Sequence, residues 1–370
     1  MRIYWYWPHP HRNTSPLCLA VMTPGDSLVV HALPPAAGES LDPITEYDVI
    51  RDLPDPTVSG RGALRRALRP IELAARRSRA RTRLVKRGFD VAHIGNLTYQ
   101  TDWADLARLR RRVPLVSDVH DVRPHRSTLP ARLEASLLRR TYRNAGQLIV
   151  LHDVLKEEMV GDFGVSPERV HVVPVVLDAR ATRDQSIPRP ARPRFLFFGT
   201  LRANKGIDVL IEALTSLGPR LDADVVIAGA GDAATTSRLS ERLGGMPNVT
   251  LEFGRVSALR MRELFSQVSW VLLPYVSFHS QSGVLSDAYA YGVPLIVSDV
   301  GAIGPTVRAD GTGFVVEPGD AEALADAMLK ATATTEATFA APLAAAAARH
   351  HVSVVGARLR AIYDLAAAEG

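Results

Sequence analysis

Short apolar runs alternate with helix-like stretches along nearly the whole chain, and the alternation starts afresh after a proline-rich segment. That segment runs Arg183-Asp184-Gln185-Ser186-Ile187-Pro188-Arg189-Pro190-Ala191-Arg192-Pro193 and has the composition of a semi-rigid linker. Strands that alternate with helices form parallel sheets covered on both faces. Two such series imply an α/β protein with two Rossmann-like, doubly wound parallel sheets. The chain's 370 residues suit two domains of ordinary size. The expected division is 1–185, 186–345 and a C-terminal helix, 346–370, packing back on the N-terminal domain. Tandem sheets of this kind enclose a ligand between their carboxyl edges.

In the first half, strands are expected at 2–7, 27–33, 89–94, 114–121, 147–151 and 169–174. In the second half they are expected at 194–199, 224–231, 249–253, 270–275, 295–298 and 313–316. Helices fill most of the intervals, and the run 344–347 reads as a joint. The loop after the first strand holds His9, His11 and Arg12, placed by the topology toward a ligand or, equally, on open surface. The strand at 114–121 ends in His120-Asp121, a titratable pair at the sheet edge or a histidine that only satisfies a carbonyl.

The segment 61–87 is basic: eleven arginines and lysines stand against one acid, Glu72. Leu64, Leu68, Ile71 and Leu73 recur at helical spacing, and Pro70 is expected to break or kink the helix. Such a helix can lie on an anionic membrane or be a solvated helix with a core stripe. No apolar run is long enough to span a bilayer, Cys18 is the only cysteine, and no nucleic-acid motif is present. A cytoplasmic protein, peripheral at most on the membrane face, with no nucleic-acid partner is expected. Ala- and Arg-rich usage suggests a bacterial source.

Chemistry is expected around 277–294. A polar loop there precedes Gly283, where a short helix begins. The first N–H groups of a helix have no acceptor within it and bind anions, phosphate above all. Asp287 lies about one turn into the helix, within reach of a hydroxyl on the same ligand. On these residues alone, a solvated strand–loop–helix crossover is an equal reading.

Four pieces of the second half occur in an order that resembles the retaining glycosyltransferases of the GT-B fold, family 4. Phe198-Gly199-Thr200-Leu201-Arg202-Ala203-Asn204-Lys205-Gly206 resembles the family's phosphate-binding motif. Ala228-Gly229-Ala230-Gly231-Asp232 resembles the next glycine-rich turn, and Phe253-Gly254-Arg255-Val256 the loop beside the nucleobase. Gln281-Ser282-Gly283-Val284 through Pro294 resembles the donor loop and helix. The strand ending at His120 is similar to one whose histidine lies beside the donor sugar. The chain departs from the family pattern at four places: His9-Pro10-His11-Arg12 replaces the glycine pair after the first strand, and the other three lie in the second half. The first of the family's two donor-site acids falls near His279, the second is Asp287, and Pro305 stands where a further glutamate is usual.

The resemblance implies two Rossmann-like domains facing a cleft, and transfer of a sugar from a nucleotide sugar to a hydroxyl with retention. It implies no cofactor and no metal, the nucleotide sugar being a co-substrate. Arg202 and Lys205 would offset the leaving diphosphate, with backbone N–H groups of Gly283, Val284 and Leu285. Gly199, Gly229, Arg255, Val256, His279, Gln281, Ser282 and Asp287 would complete the donor site. His120 would face the sugar. His9, His11, Arg12 and Asn13 would face the acceptor, a small molecule or a lipid-linked one. A nucleotide-sugar 2-epimerase of the same fold would need acid–base carboxylates that the loop around Gln281 lacks. A degenerate binding scaffold would have little use for the Arg202–Lys205 pair.

Overall fold

The computed structural model describes every residue except 9–13, 34–47, 52–62, 96, 98–101, 125–128, 179–180, 279–280 and 370, and for 14–15 and 63–71 it describes the backbone. The chain divides into two compact units, Met1–Pro174 with Val352–Gly370, and Val175–His351.

The first unit runs β1 (Arg2–Tyr6), α1 (Thr14–Val21), β2 (Ser27–His31), β3 (Asp48–Ile50), α2 (Ala63–Val85), β4 (Val91–Ile94), α3 (Asp102–Leu109), β5 (Leu115–Asp118), α4 (Ala131–Asn144), β6 (Gln147–Val150), α5 (Asp153–Phe163) and β7 (Val170–Val172). The second runs β8 (Arg194–Phe198), α6 (Ile207–Leu217), β9 (Asp224–Gly229), α7 (Ala233–Leu243), β10 (Val249–Phe253), α8 (Ala258–Gln267), β11 (Trp270–Leu273), α9 (Gly283–Ala290), β12 (Leu295–Ser298), α10 (Ile303–Asp310), β13 (Gly313–Val316), α11 (Ala321–Thr332) and α12 (Ala340–Arg349). A last helix, α13 (Val352–Ala368), belongs to the first unit.

Both sheets are parallel throughout. Their strand orders are β3-β2-β1-β4-β5-β6-β7 and β10-β9-β8-β11-β12-β13. The central strands β11 and β12 are buried at every position, because helices cover both faces. Helix α6 turns Ile207, Leu210, Ile211, Leu214 and Leu217 into that core at helical spacing.

Three local readings need correction. The proline-rich segment is part of the second unit, not a linker. Arg183 Nε donates to Tyr291 O at 3.0 Å, Arg183 and Arg189 both pair with Glu336, and Asp184 N donates to Ser266 Oγ at 2.9 Å. The residues at 344–347 are helix, not a joint, and Leu343 and Ala346 lie in the core. Pro70 does not end α2, which continues through it at the loss of one backbone hydrogen bond.

The basic helix is also less one-sided than its sequence. Arg81 is 1% exposed and pairs with Asp102 at 2.8 Å and Asp105 at 2.6 Å, both from α3. A buried guanidinium is tolerated only with such partners. Its plane also lies 4.6 Å over the Tyr6 ring. Arg76, Arg79, Arg83, Lys86 and Arg87 remain exposed. Among the described residues, no helix is long and apolar enough to cross a membrane.

Candidate active site

Loops leave the carboxyl ends of β8, β9, β10 and β11 on one edge of the second sheet, and the strand order makes them neighbours. Gly199 N donates to Ala228 O at 3.0 Å, Leu201 N to Ala230 O at 2.8 Å, and Gly254 N to Gly229 O at 2.9 Å. A Cβ on Gly229 would stand 1.7 Å from Gly199 O. Only glycine allows the first two turns to close on each other there. The loop bearing exposed Arg255 and half-buried Val256 follows directly from Gly254.

The turn after β8 is stitched to the loop after β11. Val276 N donates to Asn204 O at 3.1 Å, and Asn204 Nδ2 to Ser277 O at 3.4 Å. Gly206 has φ 75°, and a Cβ there would stand 1.7 Å from Pro274 O. These contacts carry half-buried Lys205 onto two aromatic rings. Its Nζ lies 3.8 Å from the centroid of Tyr275 and 4.0 Å from that of Phe278. An ammonium over a ring gains about 0.5–2 kcal/mol. Among the described residues, no carboxylate pairs with Lys205 or with exposed Arg202. Burial, and after it the Arg202 guanidinium, push the Lys205 ammonium down from 10.5 to about 8.

Helix α9 starts beside this cation. Tyr275 Oη lies 3.0 Å from Oγ of Ser282, the residue at the helix's N-cap. Ser282 therefore makes no side-chain cap bond, although serine is a favoured cap residue. Leu285 N is spent on Ser282 O at 3.1 Å. The N–H groups of Gly283 and Val284 have no acceptor within the helix. The space above Gly199 opens onto this end, since a Cβ at 199 would meet Val284 Cγ2 at 3.4 Å. Asp287 is half-buried in the second turn of α9.

Gln281 is turned elsewhere. It is buried, and its Nε2 donates to Thr306 Oγ1 of α10 at 3.3 Å. Thr306 gives its own proton to Ala302 O at 2.5 Å, so it can only accept from the amide. His279 lies outside the described residues, as do His9, His11, Arg12 and Asn13. His120 is exposed at the end of β5 in the first unit. Among the described residues, no three His, Cys, Asp or Glu side chains gather as a cation site.

The structure thus brings Gly199, Arg202, Lys205, Gly229, Ser282, Gly283 and Val284 together on one sheet edge. Tyr275 and Phe278 were missed by the sequence reading. Their signal was two aromatics flanking the exit of an apolar strand just before the Ser-Gly turn.

Comparison with known proteins finds family matches in both halves of the chain. Residues 21–175 match the family model described as Glycosyl transferase 4-like domain, and residues 192–334 the one described as Glycosyl transferases group 1. An alpha-D-kanosaminyltransferase of Streptomyces kanamyceticus is 30% identical over 276 residues, covering 68% of this chain and 70% of that one. An uncharacterized glycosyltransferase of Methanocaldococcus jannaschii is 26% identical over 256 residues, and the chain spans 64% of its length. A phosphatidyl-myo-inositol mannosyltransferase of Mycobacterium leprae is 27% identical over 79% of this chain and 78% of its own. Sucrose-phosphate synthase from Thermosynechococcus elongatus shares the fold over 100% of both chains, with a TM-score of 0.77 at 16% identity. Anabaena HepE, solved in complex with UDP, does so over 99% of this chain and 100% of its own, with a TM-score of 0.71 at 16% identity.

Proposed function

The chain belongs to the family 4 glycosyltransferases of the GT-B fold, and from that premise we propose that it moves a sugar from a nucleoside-diphosphate sugar to an acceptor hydroxyl, with retention and without a metal ion. The observation that carries this reading is Lys205. A half-buried ammonium between two rings, with no acid beside it among the described residues, is costly until an anion arrives.

The leaving diphosphate supplies that anion. As the glycosidic bond lengthens, charge grows on the β-phosphate. Lys205, Arg202 and the N–H groups of Gly283 and Val284 offset it from fixed positions, so little reorganisation accompanies the step. Arginine suits this task because its planar fork matches phosphate oxygens. Asp287 accepts hydrogen bonds from ribose hydroxyls, and Val256 with Arg255 frames the base. His120 faces the sugar and stabilises positive charge at the anomeric carbon. The acceptor hydroxyl attacks on the face the diphosphate leaves, and a phosphate oxygen takes its proton. Anabaena HepE was solved with UDP and with UDP-glucose, which makes uridine nucleotides the first donors to try.

Free nucleoside diphosphate, released with water as a slow acceptor, reports the reaction across a panel of nucleotide sugars. Arg202→Ala is expected to lower release about 100-fold or more with the best donor. Release at the wild-type rate would place the leaving group elsewhere.

A further inference from the structure

Arginine is the ordinary cation of this chain. Arginines and lysines together number 44, and four of them are lysine: Lys86, Lys156, Lys205 and Lys330. Lys86 is exposed, and Lys156 lies half-buried on α5. Lys330 is exposed over one ring, that of Phe314, at 4.6 Å. Lys205 alone of the four stands over two rings, at 3.8 Å and 4.0 Å. Its Nζ is neither hydrogen-bonded to a described residue nor sealed from solvent.

An arginine at 205 would carry the same charge and keep it at any working pH, whereas a lysine can lose its proton. The amine is a nucleophile only when neutral. A lysine reaches that state where apolar groups displace its water or a second cation stands near. Both conditions hold here. Tyr275 and Phe278 displace the water, and the Arg202 guanidinium adds the like charge. The two together hold the ammonium down to about 8.

An anion-binding group stands within one side chain of this amine. The Tyr275 ring lies under Nζ, and the same tyrosine's Oη meets Ser282 Oγ at 3.0 Å, at the N-cap of α9. The N–H groups of Gly283 and Val284 follow directly, without an acceptor in the helix. A small molecule with an electrophilic carbon at one end and a phosphate at the other spans that distance.

We propose that Lys205 is a site of reversible covalent modification by small aldehydes that carry a phosphate. The phosphate seats on Arg202 and the first N–H groups of α9, and the aldehyde carbon meets Nζ. The nitrogen pair forms the C–N bond while the carbonyl π pair goes to oxygen, which takes one proton from nitrogen. The C–O bond then breaks, and water leaves with the second nitrogen proton, giving an imine. No electrons are gained or lost overall. One proton from solvent makes the imine cationic, so the two rings and the phosphate hold it as they would hold the ammonium. The adduct fills the place of the diphosphate and stops turnover. The inference rests on the reading of Arg202, Lys205 and α9 as the diphosphate site.

The full-length protein is incubated with pyridoxal 5′-phosphate, reduced with borohydride to fix any imine, and mapped by peptide mass. Lys205 is expected to carry the adduct about tenfold or more ahead of Lys86, Lys156 and Lys330, and pyridoxal, which lacks the phosphate, to label it about tenfold less. Release of nucleoside diphosphate from the best donor should fall as the adduct accumulates, and dilution before reduction should restore it. Labelling spread evenly over the four lysines overturns the proposal, as does equal labelling by pyridoxal. The nucleoside diphosphate that binds tightest in calorimetry is expected to protect Lys205. Absence of the adduct in protein that binds this nucleotide overturns the proposal and leaves the diphosphate site standing. An adduct at Lys205 that the nucleotide does not prevent puts the diphosphate elsewhere, so the reading of the site falls, and with it the claim that modification closes it.

Discussion

Lys205 titrates low because two aromatic rings replace water around its ammonium and Arg202 adds a like charge. The sign of the consequence can be worked out. Between about pH 8 and 10.5 the unfolded chain binds more protons at this side chain than the folded one, so the unliganded protein gains stability from it as pH rises through that window. Ligand binding runs the other way, since a diphosphate favours the charged form. Affinity for a nucleoside diphosphate is therefore expected to fall about tenfold from about pH 7 to about pH 9. Calorimetric titration checks this, with Lys205→Arg as the comparison. Arginine stays charged throughout, so its profile should be flat. A wild-type Kd that does not move over this range would show that Lys205 is charged without help. The lysine and Arg202 were legible in the sequence because the Gly-Thr-x-Arg-x-x-Lys spacing is local. The rings beneath the lysine were not, because Tyr275 and Phe278 meet it only through the closure of two loops from different strands. Arg81 failed for the same reason: its acids come from α3, about twenty residues on.

The turn between β8 and α6 does its positioning through backbone geometry. Gly206 is left-handed, and its Cα faces the carbonyl of Pro274 at the exit of β11. Gly206→Ala meets two costs at once. The conformation alone is unfavourable by about 1–2 kcal/mol for an L side chain. A Cβ at 1.7 Å from a carbonyl oxygen must also push two strand ends apart. The total is expected to reach about 4 kcal/mol, which few kinds of substitution do. Gly311, with φ 63° and open space around it, supplies the control, and Gly311→Ala is expected to cost about 1 kcal/mol. Urea unfolding measures both. Equal losses would show that the Pro274 carbonyl yields easily and that only the dihedral matters. The strands flanking such turns were legible because buried parallel strands read as apolar runs with sharp polar ends. Strand β3 was not, since only Val49 and Ile50 are apolar there, whereas the equally short β7 continues into Val173. Helix α12 was hidden by its own composition: alanine favours helix, but a run of alanines has no polar face to mark a periodicity.

At the scale of the whole chain, the last helix decides which residues share a unit. The chain enters the second unit at Val175 and leaves it at His351, and the two ends are bonded: His350 Nδ1 meets Val175 O at 2.8 Å and Leu177 N donates to His350 O at 3.2 Å. Helix α13 then returns to the first unit. It is held on α1 at one close backbone approach, where a Cβ on Gly356 would stand 2.6 Å from Ala20 Cβ and 2.7 Å from Ala20 O. Arg360 pairs with Asp26 nearby, and Tyr363 Oη lies 2.5 Å from both Trp5 Nε1 of β1 and His93 Nδ1 of β4. That the end of the chain forms a helix could be read from its alanine-rich composition. The residue that sets its distance could not, because a glycine inside a helix signals nothing about what lies opposite. Gly356→Leu is therefore expected to lift α13 from α1 at a cost of about 1–3 kcal/mol, the range for overfilling a packed contact. Hydrogen exchange read by mass spectrometry localises the effect. Amides of α1, α13, β4 and β5 should exchange about tenfold faster or more, while those of β8 to β13 keep their protection. Nucleoside diphosphate binding, proposed above to use second-unit residues, should survive the substitution. Protection lost equally across both sheets would mean that the second unit needs α13 to fold.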